Sequence, residues 1–417
     1  MTMNQEPITD AQYLDRLKAA NLLRAQGFYP EAETMLRSLF RERPEESSLF
    51  HSFGQFSTMI GRFEEAEWAH KYALDLLKAH GTKETHLQYF QPMALGLAQA
   101  RMRLGKFDDY TWSLWEAGRL EVCWSPWPGS VYFDGSGTIP ESLLIQTEGG
   151  YGDLFMFMRW IPWLKSKLGI KKIGLMAWAS LYDFCDWKAL GVDEVYRIDR
   201  DSAPFTWQAS CSIMTLPAIF KVSKWEDIPS PFEPLGSSPY WDFKSSPGPS
   251  NPRFRIGFCW RSEENSSPIK TKSLPRKVAT EVNRLIHTQF EYENDIFTLS
   301  PEMSDLYGPG KLKHPDFMQV ENRMRTWRET AEYICSMDLI LTVDTAVAHL
   351  AGLLGVPALV LCPASSCWRW GMPGDPCHWY GPALTLYRQK VPLVWEPEEI
   401  FQAFKEKHAH RRKAIAV

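Results

Sequence analysis

The stretch DLILTVDTAVAHLAGLLGVPALVLCP, Asp338 to Pro363, decides how the chain is read. Leu339 to Val343 is an apolar run of strand length, followed by a tight turn at Asp344-Thr345. A helix is expected from Ala346 to Leu354. Gly355 and Pro357 end it, and a second strand runs from Ala358 to Cys362. That is a compact βαβ unit of a parallel sheet. Its first strand is apolar on both faces, as a strand covered by helices on both sides should be. Thr345 sits at the N-cap, so its hydroxyl and the first free N–H groups of the helix converge on one spot. Such a spot attracts an anion, phosphate above all. His349 lies four residues on, and helical side chains lean toward the N-terminus. Its imidazole is therefore expected to hang over the same spot. A purely structural turn with a surface histidine is the alternative.

Working outward, the 417 residues are enough for two or three domains. A hydrophobic share of 44% with 23% charged is ordinary for a globular protein. The net charge of −4, with no long basic block, argues against nucleic acid as the main partner. No apolar run reaches membrane-spanning length, so no transmembrane segment is expected. The first residues, MTMNQEPITDAQYLDRLK, carry acids and no apolar stretch, unlike a signal peptide. Eight scattered cysteines without a C-x-x-C pair suggest free thiols in the cytoplasm.

Residues 1–125 read as helices. Three similar turns punctuate them: GFYPEA at Gly27, GRFEEA at Gly61 and GKFDDY at Gly105. The first two are 34 residues apart and the next two 44. A period of 34 with a turn glycine, and alanines at Ala32 and Ala66, fits tetratricopeptide-like helix pairs. An unrelated helical bundle is the alternative. From Val122 to Pro140 the pattern breaks into Pro, Gly and aromatics, which marks a boundary.

Residues 126–235 read as an α/β domain. Leu143 to Gln146 is a strand, and Gly149, Gly150 and Gly152 form a loop before an apolar helix that starts at Asp153. Lys172 to Met176 is a second strand, a helix is expected around Ser180 to Leu190, and Glu194 to Tyr196 is a third strand. Seven prolines between Ile228 and Pro252 indicate an extended linker, placed at 236–253. The α/β pattern restarts over 254–417. Phe254 to Trp260 is a strand, Val278 to His287 a helix, Ile296 to Leu299 a strand, and Pro397 to Lys413 a basic helix. Two doubly wound domains would leave a cleft at the carboxyl ends of their strands. Asp153, Arg261 and Asp344 all follow strands closely, so all three are expected to face it.

Four segments carry a resemblance. TEGGYGDLFMFMRWIP is similar to an E-Q-G-x-G-D helix start. GFCWRSEENSSPIKTKSLP is similar to a G-x-x-W-x-G segment ending in R-S-I/L-P. DLILTVDTAVAHLAGLLGVP is similar to a D-T-A-x-A-H phosphate motif, and WRWGMPGDPCHWYGPALTLYRQ to a W-R-W…W-Y-P…L-F-R-Q ending. On these, the chain resembles GT-B glycosyltransferases of the heptosyltransferase-like class (family 9-like), in the bacterial form preceded by tetratricopeptide repeats. It departs at Ser262, where Gly is usual, and at Lys272, where Arg is usual; Lys offers a point charge in place of a fork.

The resemblance implies an α/β GT-B fold of two Rossmann-like domains behind an all-α repeat domain. It implies inverting, metal-independent transfer of a hexosyl or heptosyl group from a nucleotide-diphosphate sugar to a hydroxyl of a glycan or protein acceptor. No cofactor and no metal ligands are expected. Asp153 would be the base, with Glu148 on the same loop the next candidate. Gly152, Arg261, Lys272, Ser273, Thr345, Ala346 and His349 would hold the donor. Asp344 would set the turn or accept from the sugar. Trp368 and Trp370 read as core, and Arg369 could reach the cleft. The repeats would bind acceptor or a protein partner and be separable from the donor site. A repeat-bearing scaffold without activity, or an epimerase of GT-B shape, are the rival readings.

Overall fold

The computed structural model describes residues 8–201, 203, 206–230, 253–262, 271–290, 294–299 and 326–415. Apart from Arg253, the linker expected at 236–253 lies outside them, and so do residues 263–270 of the GFCWRSEENSSPIKTKSLP segment.

Six helices come first: α1 (Asp10–Ala25), α2 (Tyr29–Glu42), α3 (Ser47–Met59), α4 (Phe63–His80), α5 (Lys83–Arg103) and α6 (Asp109–Arg119). They form three helix pairs, each with its turn glycine at positive φ: 83° at Gly27, 81° at Gly61 and 72° at Gly105. Only glycine takes that conformation at no steric cost. The longer second spacing goes into longer helices. α4 has 18 residues where α2 has 14, and α5 has 21 where α3 has 13.

Two parallel sheets follow. The first has strands β1 (Val131–Tyr132), β2 (Ser142–Gln146), β3 (Lys172–Ala177), β4 (Glu194–Arg197) and β5 (Ala209–Ser212), in the order β1-β5-β2-β3-β4. Its helices are α7 (Tyr151–Phe157), α8 (Ile161–Ser166) and the short α9 (Leu216–Ile219). The second sheet has β6 (Phe254–Cys259), β7 (Asn294–Thr298), β8 (Leu339–Val343), β9 (Ala358–Cys362) and β10 (Leu384–Arg388), in the order β10-β9-β8-β6-β7. Its helices are α10 (Arg276–Gln289), α11 (Trp327–Cys335), α12 (Ala346–Leu353) and α13 (Pro397–Ile415). The chain is thus a mixed α/β molecule with two parallel sheets and many helices. Among the described residues no helix is long and apolar enough to cross a membrane.

Alternate residues of the second sheet feed two cores. Leu339, Leu341, Val343, Leu359 and Leu361 face one core with α10 and α13. Ile340, Val360 and Cys362 face the other. That second core is continuous through the first sheet and into the helical part, where Leu97, Met102, Trp112 and Trp115 belong to it. The indole N–H of Trp112 donates to the Val222 carbonyl at 2.7 Å, and that of Trp115 to the Met214 carbonyl at 3.2 Å. The last helix pair is therefore packed into the α/β body.

The expected helix over Ser180 to Leu190 is not formed. A single 3-10 turn, Ala179–Leu181, gives way to a string of turns. The buried Trp187 indole donates to the carbonyls of Leu181 and Tyr182 at 3.2 and 3.0 Å, competing for acceptors a helix would need. The helix expected to start at Asp153 begins two residues earlier, with Asp153 in its first turn.

Candidate active site

A cleft of about 640 Å³ opens between the two sheets, where the strand ends face each other. Gly152, Asp153, Arg261, Lys272, Asp344, Thr345, Ala346 and His349 all line it, together with Tyr151, Trp327 and Arg369. Ser273 does not. It is buried, and its hydroxyl accepts the Ser262 N–H at 3.0 Å and donates to the Ser262 carbonyl at 3.2 Å. These two bonds tie Ser273 to Ser262, the neighbour of Arg261.

On one wall, β2 leads through Glu148 and two glycines into α7. Gly149 has φ 75°, and a Cβ there would lie 2.4 Å from the Asp153 carboxylate. Both facts require glycine. The turn thereby lets Asp153 reach back and accept the Gly150 N–H at 2.7 Å. Its other oxygen pairs with Arg369 from the Trp368–Trp370 turn. Burial works against the Arg369 charge, but Asp153 beside it, together with Cys367 and Asp344, outweighs that and holds the guanidinium above its ordinary value. Trp368 and Trp370 are core residues, 3% and 1% exposed, and they present the arginine between them.

Glu148 cannot stand in for Asp153. It is 6% exposed and clamped by Arg119 of α6 through two bonds of 2.9 and 2.7 Å. The Ser212 hydroxyl donates to it as well.

On the facing wall, β8 leads through Asp344 into α12. The Thr345 hydroxyl accepts the Val347 N–H at 3.1 Å. The N–H of Ala346, at the first helical position, has no acceptor within its helix. Asp344 is 3% exposed and pairs with Lys272 at 3.3 Å. Burial pushes the Asp344 carboxyl up, but Lys272 and His349 outweigh it and the net shift is down. The same pair holds Lys272 well above the ordinary lysine value, against its partial burial. Asp344 thus fixes a cation at the cleft.

His349 is buried, not a surface residue. Its Nδ1 lies 3.0 Å from the Tyr380 hydroxyl, and its ring stacks on Trp370 at 5.0 Å. Burial, with Arg369 and Lys272 nearby, lowers its pKa to about 4 against the pull of Asp344 and Asp153. It is neutral at neutral pH. Gly152 explains how the two walls come so close: a Cβ there would sit 2.7 Å from the His349 ring and 3.4 Å from the Ala346 backbone.

Tyr151 and Trp327 form an aromatic edge to the cleft, with ring centroids 4.9 Å apart. Sequence reading passed over Trp327 because its short helix, α11, follows a long stretch without periodicity.

No protein-family model and no curated protein matches the chain. Among solved structures it is similar to Escherichia coli ADP-heptose lipopolysaccharide heptosyltransferase II, at 11% identity and a TM-score of 0.42, covering 65% of this chain and 99% of that one. It is also similar to an Escherichia coli heptosyltransferase with ADP-2-deoxy-2-fluoro heptose, at 13% identity and 0.40, covering 64% and 99%. A mutant O-GlcNAc transferase of Thermobaculum terrenum covers 94% of this chain and 84% of its own at 13% identity, with a TM-score of 0.29.

Proposed function

We propose that the chain is an inverting glycosyltransferase that moves a hexosyl or heptosyl group from a nucleotide-diphosphate sugar to an acceptor hydroxyl without a metal ion. One observation carries this reading: a carboxylate, Asp153, faces a helix N-terminus flanked by Lys272, Arg261 and Arg369 across a single cleft. Asp153 takes the proton of the acceptor hydroxyl, and the freed oxygen attacks the anomeric carbon from the side opposite the diphosphate. The bond from that carbon to the diphosphate oxygen breaks, and the charge collects on the diphosphate. The Ala346 N–H, the α12 dipole and the cations receive it. A bound diphosphate competes with Asp153 for Arg369, which leaves the carboxylate able to accept a proton. His349, neutral, can only share a hydrogen bond there.

The six helices are read here as a tetratricopeptide-like array whose outer pairs present a glycan or protein acceptor, or a protein partner.

The test is a thermal-shift series with ADP, GDP and UDP in the presence of a chelator. A diphosphate at 100 times its dissociation constant should stabilise the chain by about 2.7 kcal/mol. Stabilisation that appears only with a divalent cation would overturn the metal-free assignment. A transfer assay on the matching nucleotide sugars then separates a transferase from an epimerase or a silent scaffold.

A further inference from the structure

We propose that Arg103, on a helix that does not line the cleft, is the positioning residue that holds Arg369 in it. Arg103 ends α5 and is 2% exposed. Its Nη1 donates to the carbonyl of Ser366 at 2.5 Å and to that of Cys367, and its Nη2 to the Ser366 hydroxyl at 3.1 Å. Arg369 follows two residues after Cys367. The turn has a second anchor behind it, where Arg388 of β10 donates to the carbonyls of Trp370 and Gly371. The forward anchor alone comes from the helical part of the molecule.

The chemistry of Arg103 differs from that of its neighbour Arg119. Arg119 meets the carboxylates of Glu116 and Glu148, and such a pair neutralises itself. The printed polar contacts of Arg103 are carbonyl and hydroxyl oxygens, and its guanidinium lies 4.2 Å over the Phe63 ring. Burial lowers its pKa to about 10, so it remains charged. Burying a cation against neutral acceptors is expensive. What a guanidinium gives in return is a rigid fork that can grip two successive carbonyls and a side chain at once. Two successive carbonyls fix the direction in which the chain enters the Trp368–Trp370 turn, and so where Arg369 points. The helical part thereby sets the anion affinity of a cleft it does not touch.

Only the anion-binding half of the test rests on the diphosphate reading. Four full-length proteins are compared with the wild type: Arg103→Met, which keeps bulk over Phe63, Arg103→Lys, Arg369→Met, and the Arg103→Met/Arg369→Met double variant. The first readout is alkylation by iodoacetamide, followed peptide by peptide. Cys367 lies in the gripped turn and lines the cleft, while exposed Cys123 is an internal reference. Arg103→Met should alkylate Cys367 several-fold faster with Cys123 unchanged, and Arg103→Lys should fall between. An unchanged Cys367 rate in a variant that is folded at the assay temperature overturns the proposal; if Arg103→Met does not fold, the Lys variant decides it. The second readout is the calorimetric affinity for inorganic pyrophosphate. Arg103→Met should weaken it about tenfold, within the worth of one hydrogen bond to a charged group. The double variant should bind no more weakly than Arg369→Met, because Arg103 acts through Arg369. Additive losses would show a general structural role and overturn the proposal. A wild type that does not bind pyrophosphate overturns the diphosphate reading, while the thiol rates still decide the positioning claim.

Discussion

The corner after β2 and the corner after β8 are built alike: a buried strand, a tight turn, and a helix whose first residues face the cleft. They differ in what caps the helix. At α7 the cap is Asp153, a carboxylate that turns back onto the Gly150 N–H. At α12 it is Thr345, a neutral hydroxyl, while the one acid of the turn, Asp344, is spent on Lys272. One corner thus offers a base and the other an anion seat. The cleft is polarised by the choice of one capping side chain on each wall, and Arg369 pairs with the carboxylate of the first.

The hardest blow to this division is Asp153→Asn. The amide oxygen can still cap α7, but it cannot take a proton. Turnover should fall by roughly 10²–10⁴-fold while the donor dissociation constant holds. Saturated rates and calorimetry read both. An undiminished rate would leave Asp153 as a cap and send the search for a base beyond Glu148.

Next in size is the acid response of the anion corner. Between pH 6.5 and about 4 the unfolded chain binds more protons at His349 than the folded one. Stability therefore rises with pH through that window and is lost as the pH falls through it. The loss from His349 should be on the order of 3 kcal/mol at pH 4. Lys272, Arg369, Asp344, Asp153 and the Tyr380 hydroxyl face the ring. His51 and His70, buried against each other in the helical part with pKa values of about 4 and about 3, act in the same direction. Denaturant melts of His349→Gln against the wild type at pH 7 and pH 4.5 isolate the single contribution. An identical pH slope would mean that His349 is not held neutral.

The fit between the corners is probed by Gly152→Ala, which drives a methyl group into the His349 ring. It should cost about 1–3 kcal/mol. Gly150→Ala is the control, since a Cβ there would meet only the Asp153 carboxylate, at 3.8 Å. Equal melting temperatures for the two variants would show that the corners can slide apart freely. The smallest expected effect is that of Arg261→Met, about tenfold in nucleoside diphosphate affinity with turnover less affected. An unchanged affinity would seat the phosphates deeper, between Lys272 and Arg369.

The β8 corner was legible to within one residue. Its strands match the expected bounds and its helix ends one residue short. An all-apolar strand, a capping threonine and a Gly-x-Pro stop leave little choice there. Strand β5 was missed because its sequence, ASCS, is small and polar; it takes its place between β1 and β2 by pairing, not propensity. In it the Ser210 hydroxyl accepts from the Ser130 hydroxyl, and the Ser212 hydroxyl donates to Glu148. Glu148 looked like a spare base because nothing local announces Arg119, 29 residues earlier. A signal for the embedded helix pair was present: Trp112, Trp115 and Arg119 repeat at helical spacing on one face of α6, more than a repeat array needs for its own packing. The roles of Arg369 and Tyr380 depend on contacts with distant segments that no spacing reveals.

The shared core also sets a timetable for synthesis. Arg103 and its acceptor Ser366 are 263 residues apart in the chain. At roughly 5–20 residues per second, the arginine waits on the order of 10–50 s for its partner to emerge from the ribosome. Trp112 and Trp115 meet their acceptors Val222 and Met214 sooner, 110 and 99 residues on, but the turn that Arg103 grips is made last. The last pair of helices can therefore take up its final arrangement only after the second sheet has been translated.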